Sequence, residues 1–350
     1  MNRPTPVKGV SPPRIVGTAV AVPEYRVTQK EVQETCRRLF GDHPHLDKLL
    51  TVFENAGISE RHFAFPLDYY LNGHTFADRN RDYILQARKL GTHVVQAALQ
   101  QAGCRADSID QFYFVTTTGL ATPSIDALLA LELGFRPDLQ RYPLFGLGCA
   151  GGAAALGRAA QSPESRALIL SVELCGQTFL KGDLSPANLV GAALFGDGAA
   201  AVVMSRGGRG PEVIAWGSEL FEGTEEVMGW EFLDEGFKLV LSQSVPSAIV
   251  THVAPALKRF LARQDLNLRE IRHFLLHPGG AKVMAAYESS LGADVRWTRH
   301  SLERFGNLSS ASVLFILHDL LQSHTASPGD LGLLASVGPG FAMEAVLFRW

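Results

Sequence analysis

The chain has 350 residues, of which 46% are hydrophobic and 19% are charged, and its formal net charge is −3. This composition is typical of a globular protein with a sizeable core and excludes a disordered chain. The small negative charge, without a block of like charges, argues against nucleic acid as the main partner, and no apolar run is long enough for a transmembrane helix.

The N-terminal segment, residues 1–12, is Pro-rich and polar, and we expect it to be a flexible tail because it lacks the apolar centre of a signal peptide. The sequence contains four cysteines, Cys36, Cys104, Cys149 and Cys175. They are widely spaced and form no Cys-x-x-Cys pair, which argues against a disulfide scaffold and a zinc site. We therefore predict a cytoplasmic protein without a metal.

The first half of the chain alternates between predicted strands and helices. The predicted strands are RIVGTAVAVP, QFYFVTTT, RYPLFG, RALILSVEL and GAAAVVMS. The predicted helices are TQKEVQETCRRLF, residues 76–102, PSIDALLALELG and the segment after Cys149. Thr28 and Glu31 have the spacing of a capping box, and Gly91 is expected to interrupt the helix over 76–102. Gly134 marks the end of the third helix.

The second half repeats this alternation. Its predicted strands are GFKLVLS, HFLLHPGG, DLGLLASV and AMEAVLFRW, and its predicted helices lie within SVPSAIVTHVAPALKRFLARQ and GNLSSASVLFILHDLLQSH. Alternating strands and helices predict an α/β fold of stacked layers. No linker or low-complexity stretch separates the two halves, which resemble each other only roughly.

Cys149 precedes a run of Ala and Gly, GCAGGAAALGRAA, that we interpret as a helix. The N-terminus of a helix carries unpaired N–H groups and a partial positive charge, which lower the pKa of a nearby thiol and make it nucleophilic. The small residues would let a thioester substrate approach the sulfur. The alternative is a buried structural cysteine, which is common in proteins.

Two polar residues in the second half occupy similar junctions. His277 follows a predicted strand in LLHPGG, and Asn307 precedes a predicted helix in FGNLSSAS. Taken singly, each has a structural alternative, because a lone His at a strand end is often structural and Asn is a common helix cap. Cys149, His277 and Asn307 nevertheless all lie at strand–helix junctions flanked by Gly, and together they suggest one catalytic site.

Five motifs make the chain resemble the type III polyketide synthases, the chalcone synthase-like branch of the thiolase-fold condensing enzymes. They are GCAGG, LVGAALFGDGAAA, HPGG, GNLSSAS and GPGF. The resemblance extends from about residue 13 to Trp350, and within the family it is greatest to bacterial synthases of alkylpyrones and alkylresorcinols. It implies a five-layer αβαβα fold built from two related halves, 13–215 with the nucleophile and 216–350 with His and Asn. It also implies a homodimer.

The family pattern implies a role for each matching residue. Cys149 would take the starter acyl group from an acyl-CoA as a thioester. His277 would stabilise the thiolate, and His277 and Asn307 would donate hydrogen bonds to the malonyl-CoA carbonyl and to the enolate left by loss of CO2. Phe195 matches the aromatic gatekeeper beside the malonyl carboxylate, where an apolar face favours decarboxylation. No cofactor is implied, since the CoA thioesters are substrates.

The same comparison nominates further substrate contacts. Thr178 and Ser309 match positions near the family's active site, although helix capping is an alternative for Ser309. Gly338, Pro339 and Gly340 are expected to shape the cavity floor, unless they form an ordinary turn. The remaining nominated residues are Ala150, which stands where plant members have an aromatic residue, Thr122 at the expected dimer interface, and Lys48 and Arg61, the basic candidates for CoA binding. Glu173 is expected to hydrogen-bond within the scaffold.

The small Thr122 and Ala150 favour a long-chain fatty acyl starter, extended by malonyl-CoA through decarboxylative Claisen condensation and released as an alkylpyrone or alkylresorcinol. Three alternative functions also use residues of these types. A papain-like protease would need a CGSCW-like setting near the N-terminus, which the chain lacks. A ketoacyl synthase III would stop after one condensation. A non-catalytic thiolase-fold protein that binds acyl-CoA would have an unreactive Cys149.

Overall fold

The structure is a computed structural model that describes residues 12–41, 43–161 and 166–350. The predicted tail, 1–12, therefore lies outside the described residues apart from Pro12. The strands are β1 Pro13–Ala21, β2 Tyr25–Thr28, β3 Glu60–Phe63, β4 Gln111–Val115, β5 Gln140–Leu144, β6 Arg166–Leu174, β7 Asp197–Arg206, β8 Glu212–Leu220, β9 Met228–Leu233, β10 Gly236–Leu241, β11 Ile271–Leu276, β12 Leu331–Gly338 and β13 Ala342–Arg349.

The helices alternate with these strands along the chain. They are α1 Gln29–Leu39, α2 Leu46–Glu54, α3 Leu67–Leu71, α4 Phe76–Ala102, α5 Ile125–Leu133, α6 Gly151–Gln161, α7 Pro186–Leu194, α8 Val245–Ala248, α9 Ala254–Ala262, α10 Ala281–Leu291, α11 Arg296–Phe305 and α12 Ser312–Ser323. No helix within the described ranges is both long and apolar enough to cross a membrane.

Nine strands form one mixed sheet in the order β11-β12-β13-β8-β1-β7-β6-β4-β5. Strands β1 and β8 meet at a single residue pair, Arg14 and Glu212, whose side chains form an ion pair at 3.1 Å. The sheet therefore consists of two parts, one from each half of the chain, that touch at one point. The predicted division at 215/216 falls inside β8.

Side-chain alternation along the strands builds the layers. In β6, Ala167 and Ile169 point into a central layer with α6 and α12, whereas Leu168 and Leu170 point outward to α4 and α5. In β12, Leu334 joins the central layer, and its neighbours join the cluster of α9 and α10. Two sheet parts with helices between them and outside them confirm the predicted five-layer αβαβα fold.

The central layer is unusually tight where α6 approaches the start of α12. A Cβ atom placed on Gly152 would lie 2.2 Å from the backbone oxygen of Ser310. A glycine is therefore required at this contact, since no side chain fits. The contact joins the two halves next to the segments that carry Cys149 and Asn307.

Of three local sequence signals for helix boundaries, the structure confirms two and contradicts one. Thr28 and Glu31 form the predicted capping box of α1, and Gly134 ends α5 in the left-handed conformation. The predicted interruption at Gly91 is wrong, because α4 continues through it without a break. A Cβ atom at Gly91 would lie 2.9 Å from Leu129 and 3.3 Å from Leu170, so this glycine serves close packing and not a helix break.

Candidate active site

Cys149, His277 and Asn307 line one cavity, hereafter the reaction cavity, with about 740 Å³ of empty space. Its wall also contains three other predicted residues, Phe195, Ser309 and Pro339. The cavity lies where the two halves meet, because its polar groups come from both. Residues that are far apart in the sequence thus face a single enclosed space.

The position of Cys149 is fixed by its backbone. It lies in the 3₁₀ turn Gly148–Ala150 that leads into α6. Gly148 has a φ of +50°, and a Cβ atom there would lie 2.4 Å from Pro339. The Ser336 hydroxyl donates to the carbonyl oxygen of Cys149 at 2.6 Å. Pro339 and Ser336 therefore hold the turn that presents the sulfur to the cavity.

Burial dominates the charge state of the site. The Cys149 thiol donates to the Ser309 hydroxyl across 3.6 Å, and burial raises the pKa of this thiol to about 12. Burial also lowers the pKa of His277 to about 3, and its Nδ1 atom has no hydrogen-bond partner among the described residues. Burial therefore opposes the lowering of the thiol pKa that the helix N-terminus was expected to cause, and it disfavours the charged forms of both the thiol and the imidazole.

Asn307 is held through both its backbone and its side chain. Its N–H donates to the Leu194 carbonyl at 2.7 Å, and it forms an isolated parallel β-bridge with Phe195. Its Oδ1 atom accepts a hydrogen bond from the Ser309 N–H at 2.8 Å. Since the side-chain oxygen is occupied, the Nδ2 group is the donor that remains for a substrate oxygen.

Glu173 organises the loops behind this site. It is fully buried and accepts hydrogen bonds from the Thr117 N–H at 3.0 Å, from the Thr118 hydroxyl at 2.8 Å and from the Ser310 hydroxyl. Burial raises the pKa of Glu173 to about 7. These bonds confirm the predicted scaffold role, because they tie the segment after β4 to the turn that carries Ser309.

A hairpin that the sequence analysis did not connect with the site forms another wall. Strands β9 and β10 pair with each other, and Trp230 of β9 lines the reaction cavity. Its indole N–H donates to the Thr117 hydroxyl at 3.1 Å, and its ring centroid lies 6.4 Å from that of Phe195. Only the second strand was predicted. The turn signal LDEG between two apolar stretches could have revealed the first.

A second cavity, hereafter the tail pocket, adjoins the reaction cavity and has about 630 Å³ of empty space. The two cavities share four wall residues, Cys175, Gly191, Phe195 and Leu239. The tail pocket is mostly apolar and is enclosed by α1, α3, α7 and the segment after β6. Thr178 lies here and not in the reaction cavity, and its hydroxyl donates to the Cys175 carbonyl at 2.7 Å.

Other predicted residues lie behind or outside the cavities. Ala150 is buried against Gly338, where a Cβ atom would lie 2.8 Å from that of Ala150. Gly340, with a φ of +124°, turns the chain between β12 and β13. Thr122 is exposed in the loop before α5, and Lys48 is exposed on α2.

Arg61 requires a correction. It is 0% exposed, and its guanidinium donates to the Phe195 carbonyl at 2.9 Å and to the Gln29 side-chain oxygen. A buried guanidinium with these partners does not face a surface at which CoA phosphates could bind. The expectation of a CoA contact is therefore wrong for Arg61, whose bonds instead support the backbone of the gatekeeper position.

This geometry can be compared with known proteins. A family model of the N-terminal domain of chalcone and stilbene synthases matches residues 12–208, and one of the C-terminal domain matches residues 213–350. The chain belongs to this family. The type III polyketide synthases to which it is assigned are acyl-transferring enzymes that condense CoA thioesters.

Similarity to individual proteins supports this family assignment. The chain is 40% identical to the 1,3,6,8-tetrahydroxynaphthalene synthase of Streptomyces peucetius subsp. caesius, covering 96% of this chain and 93% of the relative. It is 32% identical to a 3,5-dihydroxyphenylacetyl-CoA synthase of Amycolatopsis orientalis, with 96% and 93% covered. The crystal structure of the tetrahydroxynaphthalene synthase of Streptomyces coelicolor A3(2) superimposes with a TM-score of 0.93 at 34% identity, covering 96% of this chain and 99% of that one.

Proposed function

We propose that this type III polyketide synthase loads a long-chain fatty acyl group from CoA onto Cys149 and extends it two or three times with malonyl-CoA. The product is an alkylpyrone, with an alkylresorcinol as the alternative outcome. One observation supports a long-chain starter: the apolar tail pocket shares wall residues with the cavity that contains Cys149. Each methylene buried there contributes about 0.8 kcal/mol to binding, so longer starters are favoured.

In the loading step, Cys149 attacks the acyl-CoA carbonyl while His277 accepts the thiol proton. The neutral imidazole is the form that can accept this proton, and burial favours that form because it lowers the pKa of His277. The thiol keeps its proton until then, since burial raises its pKa to about 12. Proton transfer to His277 therefore accompanies the attack, and CoA leaves as the free thiol when His277 returns this proton to its sulfur.

In the extension step, malonyl-CoA loses CO2 and the resulting enolate attacks the Cys149 thioester. The Nδ2 group of Asn307 and the imidazole of His277 donate hydrogen bonds to the oxygen on which negative charge develops. Removal of one such preorganised donor costs about 3–4 kcal/mol in comparable sites. Phe195 provides the apolar face that disfavours the malonyl carboxylate and favours its conversion to CO2.

The pyrone follows from the chemistry of release. Attack of an enol oxygen of the triketide on its own thioester carbonyl closes a lactone and frees Cys149, without a further catalytic group. A resorcinol needs carbon–carbon ring closure. A second candidate, a polyhydroxylated aromatic product without an alkyl tail, is favoured by the 40% identity to a tetrahydroxynaphthalene synthase.

Three further features belong to this proposal. The enzyme acts in the cytoplasm as a homodimer, with the exposed Thr122 at the interface and the boundary between the two halves near 215/216. The exposed Lys48 contacts CoA. All four cysteines are free, consistent with a reducing compartment. Sedimentation at micromolar concentration tests the dimer, and a monomer there would contradict it.

The deciding experiment measures kcat/KM for acyl-CoA starters from acetyl to palmitoyl with malonyl-CoA, and identifies the products by mass spectrometry. We expect efficiency to rise with chain length and the products to be tri- and tetraketide pyrones. A preference for acetyl- or malonyl-CoA would favour the second candidate, and termination after one extension would indicate ketoacyl synthase chemistry. Cys149→Ala is the control, which should make no polyketide but still decarboxylate malonyl-CoA.

A further inference from the structure

A third space, hereafter the outer cleft, adjoins the tail pocket and has about 1450 Å³ of empty space. These two spaces have two wall residues in common, Tyr70 and Phe179. Tyr70 and Phe179 therefore lie where the apolar pocket meets the cleft. They form a partition between the two spaces.

The surroundings differ sharply across this partition. On the tail-pocket side lie Leu67, Leu71 and Leu39. On the cleft side the wall contains the charged residues Arg79, Lys181, Asp183, Asp234, Glu235 and Lys238. An alkyl chain is stabilised only where it leaves water for apolar surroundings, so its gain in binding free energy stops at the partition.

Tyr70 is held in this position by packing. It lies on α3, and its ring centroid is 5.5 Å from that of Phe63 and 5.3 Å from that of Tyr69. Its hydroxyl lies 2.8 Å from the place where a Cβ atom on Gly176 would be, so the missing side chain of Gly176 leaves room for the phenol. Gly176 is itself fixed, since its N–H donates to Asp197 at 2.8 Å.

We propose that Tyr70, with Phe179, is the end stop that sets the maximum length of the starter's alkyl chain. This inference rests on the proposed function, because it assumes that the tail pocket holds the starter. Chains up to the partition gain affinity with each methylene, by about fourfold for each one that leaves water. Longer chains must displace the phenol ring or fold back, and lose that gain.

The test compares Tyr70→Ala with Tyr70→Phe, which keeps the ring and serves as the matched control. Two quantities are measured for acyl-CoA starters from two to twenty carbons: kcat/KM, and the fraction of Cys149 acylated, by intact-protein mass spectrometry. We expect the optimum of Tyr70→Ala to move by at least two carbons toward longer starters, and that of Tyr70→Phe to remain at the wild-type length.

The outcomes separate this inference from the proposed function. If wild-type efficiency does not rise with chain length, the proposed function is wrong and the end stop is wrong with it. If wild type has a length optimum that Tyr70→Ala shares, only the end stop is wrong. If Tyr70→Ala does not fold, Phe179→Ala is used instead, because Phe179 is the second residue of the partition. If the optimal starter length of folded Phe179→Ala equals that of wild type, the inference is wrong.

Discussion

Asn307 and Phe195 form a parallel β-bridge that joins the two halves of the chain inside the reaction cavity. Two backbone hydrogen bonds accompany it, from Asn307 N–H to Leu194 at 2.7 Å and from Gly196 N–H to Asn307 at 3.1 Å. The proposed enolate donor and the proposed gatekeeper are therefore held by one backbone pairing. A substitution that breaks this pairing should therefore displace both Asn307 and Phe195.

Gly306→Ala tests this coupling. Gly306 has a φ of +70°, and a Cβ atom there would lie 2.6 Å from the Leu194 carbonyl oxygen that accepts from Asn307. We expect a loss of about 1–3 kcal/mol in the free energy of unfolding and a fall in malonyl-CoA decarboxylation of at least about tenfold. Urea unfolding and CO2 release measure the two effects.

Gly292→Ala is a control for a Cβ atom added at a glycine with a positive φ. Its φ is +64°, but no atom lies within 4 Å of a Cβ atom placed there. It should show backbone strain alone, with wild-type decarboxylation. Equal losses of decarboxylation in both variants would contradict the role assigned to the bridge.

Glu173→Gln tests the buried carboxyl through pH. The Glu173 carboxyl ionises near its ordinary value in the unfolded chain, but burial raises its pKa to about 7 in the folded protein. Between about pH 4.5 and 7 the folded state therefore holds an extra proton, so wild type loses stability as pH rises, by up to about 3 kcal/mol. The glutamine variant lacks this loss.

We accordingly expect the stability of Glu173→Gln relative to wild type to increase from pH 4.5 to 7 and then to level off. Denaturant unfolding at several pH values measures this difference. Burial also raises the pKa of Asp197 to about 7, but this residue is present in both proteins, so its contribution to the stability difference cancels. Parallel pH profiles for the two proteins would show that Glu173 titrates normally.

Two substitutions test the roles of the basic residues: Arg61→Met removes the cation with a structural role, and Lys48→Met removes the proposed CoA contact. Removal of the buried Arg61 leaves the Phe195 carbonyl and the Gln29 side chain without their donor, and should cost about 2–4 kcal/mol in unfolding free energy. The KM for CoA substrates should stay unchanged. Lys48→Met should change stability by less than about 0.5 kcal/mol but raise that KM. The reverse pattern would restore Arg61 as a CoA ligand.

Gly191→Val tests whether the acyl chain extends from the reaction cavity into the tail pocket across the wall that the two cavities share. A Cβ atom on Gly191 would lie 3.0 Å from Leu239 and 3.4 Å from Phe195, two residues that border both cavities. The added side chain should fill space at this shared wall and lower kcat/KM for long starters relative to acetyl-CoA by at least about tenfold. Ala187→Val, on the same helix but in neither cavity, should leave the ratio at the wild-type value. An unchanged ratio in Gly191→Val would place the tail elsewhere.

Trp230→Leu tests the hairpin wall. The smaller side chain enlarges the reaction cavity and removes the hydrogen bond to Thr117. We expect products with at least one additional malonyl unit, identified by mass spectrometry, because the cavity then holds a longer chain. Phe232→Leu is the control, since Phe232 lies in the same strand but is 59% exposed and outside the cavity wall. Identical product mixtures from both variants would mean that Trp230 does not limit chain length.

The features that could be predicted from the sequence are those that leave a local pattern in it. The apolar runs of β4 and β6 and the glycine-flanked junctions at Cys149, His277 and Asn307 are such signals, and all three residues line one cavity. Burial is not visible in a local pattern. Arg61 looked like a surface cation because the sequence does not show that its side chain is completely removed from water. The effect of burial on the pKa of the Cys149 thiol is likewise not visible in a local pattern.

The hairpin of β9 and β10 forms a two-stranded sheet of its own, and among the described strands these two pair only with each other. The hydrogen bonds between its two strands are internal, and the carbonyl of Glu235 in its turn accepts a further one from Arg79. The hairpin contributes Met228, Trp230, Leu239 and Leu241 to the wall of the reaction cavity. Such an element can be exchanged between homologous enzymes as one cassette, leaving the central helices and the catalytic groups in place. Product diversity can therefore evolve, or be engineered, by varying about fourteen contiguous residues, 228–241, if the buried Phe237 and the core-packing Met228 and Leu241 stay apolar.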